Sequence, residues 1–389
     1  MAVGTYKTHS EDQWNSRRGE DNEILVIYGE EYEKMTYRLL EEADLAARIG
    51  DRKKRIGIKP NLVSPVLPSE GATTHPEVVE GLIRYLQEHG FRNLAVMEGS
   101  WVGARTEEAF SVCGYRELAE RYGVELIDAQ KERPVTVDCA GMKLHICACA
   151  LDVDYMINVP VMKGHCQTHI TCALKNMKGL LPNSEKRRFH SMGLHKPIGH
   201  LAAGIRQDFI LVDSICGDLS FEDGGNPTVM NRIFAAADPV LCDAWVCRLL
   251  QYDTEEVPYI GIAESLGAGS ADLDRAVIRE LNRPGGQAEL PDRNKVMKLA
   301  EAVEEVDSCS ACYGYLIPAL DRLDQEGLLQ DFPEKICIGQ GYRGKTGKLG
   351  IGNCTKEFAC SLKGCPPTET EIYDFLKAYA EKAVIQGHS

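Results

Sequence analysis

The sequence contains no run approaching the ~20 consecutive apolar residues that a membrane-spanning helix requires. Its opening, MAVGTYKTHSEDQWNSRRGEDNE, has none of the apolar core of a secretory leader. Positive charge is in deficit: 44 Lys and Arg against 58 Asp and Glu leave a net charge of −14. The chain therefore lacks the basic footprint that nucleic acid or an anionic membrane demands, and neither is expected as a partner. An anionic ligand would have to be held by a local basic pocket. There is no Walker A pattern and no GxGxxG leading from a strand into a helix. GQGYRG at 339–344 fits the second expression, but it lies in a late glycine-rich loop outside any βαβ unit, so nucleotide binding is not expected there. These absences point to a cytoplasmic protein.

Cysteine, by contrast, is abundant. Fifteen are present, many for a reducing compartment where disulfides are rare and clustered thiols bind metal or do redox chemistry. An odd count also fits a disulfide scaffold poorly. At 389 residues, 44% of them hydrophobic, the chain has room for one large domain or two smaller ones.

Apolar runs alternate with helical spacing through most of the chain. Residues 23–28, 55–59, 93–97, 124–127, 154–161, 209–215 and 232–237 read as strands; 36–49, 75–89, 107–122 and 239–250 read as helices, with Gly50, Gly90 and Gly123 as stops. This rhythm implies right-handed crossovers and an α/β fold with a doubly wound, mostly parallel sheet. Residues 134–149 read as a hairpin around Gly141. The acidic run 301–307 reads as a solvated helix face, and no tandem repeat is evident. The expected organisation is a polar arm at 1–23, an α/β domain at 24–285 and a smaller C-terminal cysteine-rich module at 286–389, with the clearest breaker at 283–286.

The densest polar stretch is MKGHCQTHITCALKNMKGLLP, residues 162–182, directly after the apolar run DYMINVPV. In an open α/β sheet, ligands bind where such strands end. Lys163, His165 and Lys175 are the candidate catalytic groups, as charge clamp or base, acid–base imidazole and cation. Lys59, Asn61, Thr171, Asn176, Lys178 and Asp213 are candidate substrate contacts, and Gly164 and Gly179 permit close backbone approach. Polar residues recur at other strand ends too, at Glu98, Ser100, Asp128 and Asp238. Together they suit a small carboxylate- or phosphate-bearing molecule. Cys113, Cys147, Cys149, Cys216, Cys242 and Cys247 read as small core residues.

A second constellation lies near the C-terminus. Cys309-Ser-Ala-Cys312 has the spacing that brings two thiolates to one metal centre, and Cys354, Cys360 and Cys365 follow. Four thiolates suit a [4Fe–4S] cluster or a four-cysteine zinc site. The five- and four-residue spacings of the second half depart from a zinc ribbon and favour iron and sulfur. The candidate ligands are Cys309, Cys312, Cys354 and Cys365, with Cys360 as substitute. The segment Gly364-Cys365-Pro366-Pro367 also resembles the cluster-binding cysteine of hydrogenase small subunits and quinone-reductase cluster subunits.

The segments IKPNLV (58–63), ATTHPEVVEGLIRYLQEHG (72–90), GYRELAERYGVELID (114–128), the 154–182 core, ILVDSI (210–215) and AAADPVLCDAW (237–245) together resemble the DUF362 family. Some of its members carry a cysteine-rich iron–sulfur segment. The resemblance implies site residues at Lys59, Asn61, Lys163, His165, Thr171, Lys175, Asn176 and Lys178, with Asp213, Asp238 and Asp243 as acidic partners, and it supplies no substrate. The expected function is an iron–sulfur oxidoreductase or electron-transfer enzyme acting on a small anion, served by a redox partner protein. Two alternatives remain: a non-redox isomerase or lyase with a structural metal, and an electron carrier or binding protein without catalysis.

Overall fold

The computed structural model describes residues 22–387 apart from 284, 285, 287 and 293. Most of the predicted polar arm and part of the breaker at 283–286 lie outside the described residues.

Eight strands form the main sheet: β1 (Glu23–Tyr28), β2 (Ile56–Pro60), β3 (Leu94–Glu98), β4 (Glu125–Asp128), β7 (Tyr155–Val159), β10 (Phe209–Asp218), β11 (Pro227–Ala236) and β12 (Val277–Glu280). Their order is β12-β1-β11-β10-β7-β2-β3-β4. All are parallel except β11, which runs against both its neighbours. Strand residues alternate between two cores, as a period of two demands. In β1, Ile24 and Val26 enter one hydrophobic cluster while Leu25 and Ile27 enter the other. The sheet is thus covered on both faces, and β2, β3, β7 and β10 are buried throughout. The predicted α/β class with a doubly wound, mostly parallel sheet is what the chain adopts.

From β2 the chain builds outward to β3 and β4, then returns to place β7 on the other flank of β2. That reversal opens a crevice at the carboxyl ends of β2 and β7, the switch point where such sheets bind ligands. Beyond β7, a short hairpin of β8 (Lys163–His165) and β9 (His169–Thr171) leads into the helical turn Ala173–Asn176.

Local departures from the expected elements have identifiable causes. The helix predicted over 107–122 is two helices, Thr106–Val112 and Tyr115–Tyr122, broken at Gly114 with φ 77°. β5 (Pro134–Cys139) and β6 (Met142–Cys147) pair only with each other. The loose stretch after residue 267 contributes β12, which extends the main sheet along β1.

The acidic run is not a helix face. Its Val303–Glu305 is β13, the first strand of a second sheet with β14 (Ile336–Ile338), β15 (Leu349–Ile351) and β16 (Cys360–Leu362), all parallel and in sequence order. An internal repeat that sequence reading missed becomes visible here. Each strand exits through a residue of positive φ, Asp307, Gly339, Gly352 or Gly364, and β14 and β15 both continue into a single 3-10 turn, GQGY and GNCT. Because parallel strands point their ends the same way, all four exits gather at one edge. The helices Ser310–Gln325 and Glu369–Gly387 pack on this sheet, and its core takes in Cys166 and Phe221 of the larger domain. Among the described residues no helix is long and apolar enough to cross a membrane.

Candidate functional site

The crevice at the switch point is a cleft of about 860 Å³ that is open to solvent at its mouth. β2 supplies Lys59, β3 supplies Glu98, and the 162–182 segment supplies Lys163, His165, Thr171, Lys175, Asn176 and Lys178. The helix Asn183–Met192 adds Lys186 and His190, and a loop after β10 adds Glu222 and Asp223.

Lys59 is fully buried and paired. Its Nζ donates to Glu98 Oε2 at 2.9 Å and to the Pro60 carbonyl at 2.7 Å. Glu98 in turn accepts from the Leu62 and Gly99 amides, both at 2.7 Å. Asn176 closes this floor, donating to Asn158 Oδ1 at 2.7 Å and accepting from Lys59 at 3.4 Å.

The other four lysines meet neutral acceptors. Lys163 Nζ donates to the carbonyls of Ala72 and Glu222, both at 2.7 Å, and Lys186 Nζ to those of Gly99 and Ser100 at 2.6 and 2.8 Å. Lys175 Nζ donates to Thr171 Oγ1 at 3.0 Å, and Lys178 Nζ lies 3.4 Å from His190 Nε2. Burial makes the charged form costly. It pulls Lys163 and Lys186 down to about 8 and Lys175 to about 7, the last against the opposing pull of Glu222. Lys178 falls well below its ordinary value for the same reason, reinforced by Lys175 and Lys186.

His165 is nearly buried, and its Nδ1 accepts from the Gln167 and Thr168 amides at 3.1 and 3.3 Å. That assigns the proton to Nε2, which faces Glu222 Oε1 at 3.6 Å. Burial, then the charges of Lys175, Lys178 and Lys163, hold the ring neutral, well below the usual imidazole range. Glu222 is fixed by the Cys166 amide on Oε2 at 3.0 Å. Its loop is organised by Asp218, which accepts from Ser220 and Phe221 at 2.9 Å each. Asp223 is pushed up to about 6 by burial and by Glu222, against the pull of Lys163 and Lys175.

Three acidic residues expected here serve elsewhere. Asp213 does not line the cleft: its Oδ2 accepts from both the amide and the ring of His75, at 2.7 and 2.8 Å. The strand-end rule placed it correctly along β10, but its side chain falls on the face covered by the helix Pro76–Glu88. Asp238 caps the helix Pro239–Leu249. Asp243 accepts from the Ala173 and Leu174 amides at 2.7 and 3.1 Å and so anchors the turn that carries Lys175. Conversely, Lys186, His190, Glu222 and Asp223 escaped sequence reading. For the last two a signal existed, an acidic pair in the glycine-rich turn FEDGGNP.

Gly179 sits where any Cβ would stand 2.3 Å from Glu98 Oε1 and 2.7 Å from Lys59 Nζ. Gly179→Ala is therefore expected to split the buried pair, at a cost of about 3 kcal/mol or more. A fall in the urea midpoint, with unchanged slope, is the reading that checks it.

The roof of the cleft comes from the second sheet's crossover helix. Ser310, Ala311, Gly314 and Tyr315 line the cleft, and Gly314 packs so closely on Glu222 that a Cβ would stand 2.4 Å from its Oε1. Gln167 Nε2 donates to Ser308 Oγ at 3.2 Å, Ser310 Oγ bonds His190 Nδ1, and Trp101 meets Tyr315 edge-on at 5.7 Å.

Cys309 and Cys312 stand on the first turn of that same helix, facing the gathered strand exits that carry Cys354 and Cys365. The structure brings these four thiols together: burial raises Cys309 and Cys312, and the charges of Cys354 and Cys365 raise them further. Gln340, at the β14 exit, donates to Cys309 Sγ at 3.6 Å, and Arg343 lies beside Cys354. Gly352 leaves room beside Cys312 Sγ, 3.8 Å from where a Cβ would be. Cys360 lies within β16 and joins the module's hydrophobic core instead.

Four cysteine sulfurs are a donor set that fits either a [4Fe–4S] cluster or a tetrahedral zinc ion. Tetrahedral zinc draws four sulfurs to about 3.8 Å of one another, from its ~2.3 Å bonds. Among the described residues the only three or more metal-ligating side chains whose atoms all lie within 4.8 Å are the buried Cys172, Cys242 and Asp243.

Comparison with known proteins adds three findings. Residues 56–248 match the family described as "Domain of unknown function (DUF362)". The chain is 26% identical over 224 residues, 55% of its length and 68% of the other's, to the thylakoid-associated protein sll1697 of Synechocystis. The lactate racemase apoprotein of Thermoanaerobacterium thermosaccharolyticum is matched with a TM-score of 0.38 and 16% identity, over 58% of this chain and 56% of that one. Residues 56–248, which hold every lysine and histidine of the cleft, belong to the DUF362 family.

Proposed function

We propose that the protein is an iron–sulfur oxidoreductase that binds a small anion in the lysine-lined cleft. One observation carries this reading: the turn Cys309–Cys312 supplies two of four gathered thiols, while the residues between them, Ser310 and Ala311, form the cleft wall. Cys309, Cys312, Cys354 and Cys365 would hold a [4Fe–4S] cluster, whose chemistry is the exchange of single electrons.

The chain's own residues divide the remaining work. Lys175, with one neutral hydrogen bond made, keeps two N–H groups for the anion, whereas Lys163, tied to two carbonyls, mainly positions the Glu222 loop. His165 offers its Nε2 proton, and Asp223 can hold or release one near neutrality. A protein delivering electrons would approach the exposed Cys365 beside Arg343.

A second reading, proton transfer without redox, is favoured by Lys175 and Asp223 both titrating close to neutrality, at about 7 and about 6. Ligand variants separate the two. Cys354→Ser is expected to lose most bound iron, while Cys360→Ser retains it. Equal retention in both variants would remove the thiol assignment and leave the proton-transfer reading.

A further inference from the structure

Charge compensation inside the cleft is incomplete. Lys59 is matched by Glu98. Around Lys163, Lys175, Lys178 and Lys186, no carboxylate oxygen among the described residues comes within 4.0 Å. Their partners are two pairs of backbone carbonyls, a hydroxyl and an imidazole lone pair. Carboxylates act on them only at longer range, Glu222 and Asp223 on Lys163 and Lys175 and Glu98 and Asp128 on Lys186. His165 contributes no charge, since its Nδ1 is occupied as an acceptor, and His190 likewise accepts from Lys178.

Four lysine amines thus share a largely buried cleft with no carboxylate in contact with any of them. Buried charges are ordinarily paired, and an unpaired one is costly to the fold. The opposite wall differs in kind: Trp101, Val63, Val102 and Tyr315 present apolar and aromatic surface beside the lysines.

We infer that the cleft is built for a ligand with a dianionic head group, a phosphate monoester or a vicinal dicarboxylate, and an apolar or planar body lying against Trp101 and Tyr315. This inference rests on the proposed function for the site's role and adds its substrate class. Two negative charges on the ligand give partners to two protonated lysines that the fold leaves without a carboxylate; one charge serves only one of them. A phosphate oxygen or second carboxylate oxygen also gives Lys178 and Lys186 an acceptor that a single carboxylate cannot offer while it engages Lys175.

The test is calorimetric titration of the anaerobically purified full chain at pH 7 with three probes sharing an aromatic body: phenyl phosphate, phthalate and benzoate. One charge-assisted hydrogen bond more is worth roughly tenfold or above in affinity. The expected result is that phenyl phosphate or phthalate binds at least about tenfold tighter than benzoate. Lys178→Met should bring the tighter probe towards the benzoate value while changing benzoate itself little. Preference for phenyl phosphate assigns a phosphomonoester and preference for phthalate a dicarboxylate, and either supports the dianion. Benzoate binding as tightly as both, or Lys178→Met leaving the ranking intact, would overturn it. If no probe binds while iron and its redox signal persist, the dianion fails and the proposed function stands. Dianion binding by a chain without iron does the reverse.

Discussion

Replacing Lys175 by methionine is expected to weaken binding of a small dianion by about 30- to 1000-fold, equivalent to about 2–4 kcal/mol for a charge-assisted contact in a largely buried site. The same substitution should make the ligand-free protein more stable, by about 1–3 kcal/mol. The two effects share one cause. Lys175 has a single neutral partner, the Thr171 hydroxyl, and lies among Lys163 and Lys178. Methionine keeps the apolar stem and removes the ammonium. A lysine held for packing would behave oppositely, losing stability without a large loss of affinity. Calorimetry of binding and urea unfolding, run on the same preparations, distinguish the cases, and a destabilised variant that still binds would contradict the assignment.

The second large effect is on pH, where affinity and stability should move in opposite directions. In the folded, ligand-free state Lys175 titrates near 7 and Lys163 and Lys186 near 8, each lowered chiefly by burial; in the unfolded chain they titrate near ~10.4. Below pH 7 both states carry these protons and the full cost of burying charge is present. Between about pH 7 and 10 the unfolded chain binds more protons than the folded one, so this contribution makes stability rise with pH. The anion requires the protonated lysines, so its affinity falls over the same window, by up to about tenfold per pH unit for each proton taken up. Asp223, ionising near 6, adds to the fall at the acid end. Glu98 is spent on Lys59, and the imidazoles of His165 and His190 are held neutral throughout. A ligand already dianionic above pH 6.5, titrated between pH 6.5 and 9, checks this directly. Affinity independent of pH would mean that the lysines do not meet the anion.

Much of this arrangement was legible from residue order alone. Strands such as EILVIY and DYMINV carry their own signal, and the rule that parallel strands share an edge was enough to bring Lys59, Lys163 and Lys175 together. It could not say which way a strand-end side chain points, which is why Asp213, placed correctly on β10, faces His75 rather than the cleft. Lys186 and His190 lie on a helix whose sequence, NSEKRRFH, reads as ordinary solvated surface; only tertiary packing turns that side under Gly99 and Ser310.

The acidic run ahead of the cysteines reads as a helix face and is a strand instead. Val303–Glu305 has too few residues to declare a strand among acidic neighbours, and the repeat that joins β14 to β16 is written in single glycines rather than in similar side chains. The nearness of thiols and cleft was beyond any pattern, because it depends on Gly314 allowing the roof helix to rest on Glu222.

The most direct measurement is anaerobic purification of the full chain followed by iron, acid-labile sulfide and zinc determination, with electron paramagnetic resonance before and after dithionite. About four irons and four sulfides per chain, with a signal that appears on reduction, is the expected result. Stoichiometric zinc without iron would contradict it and return the chemistry of this cleft to proton transfer at Lys175 and His165.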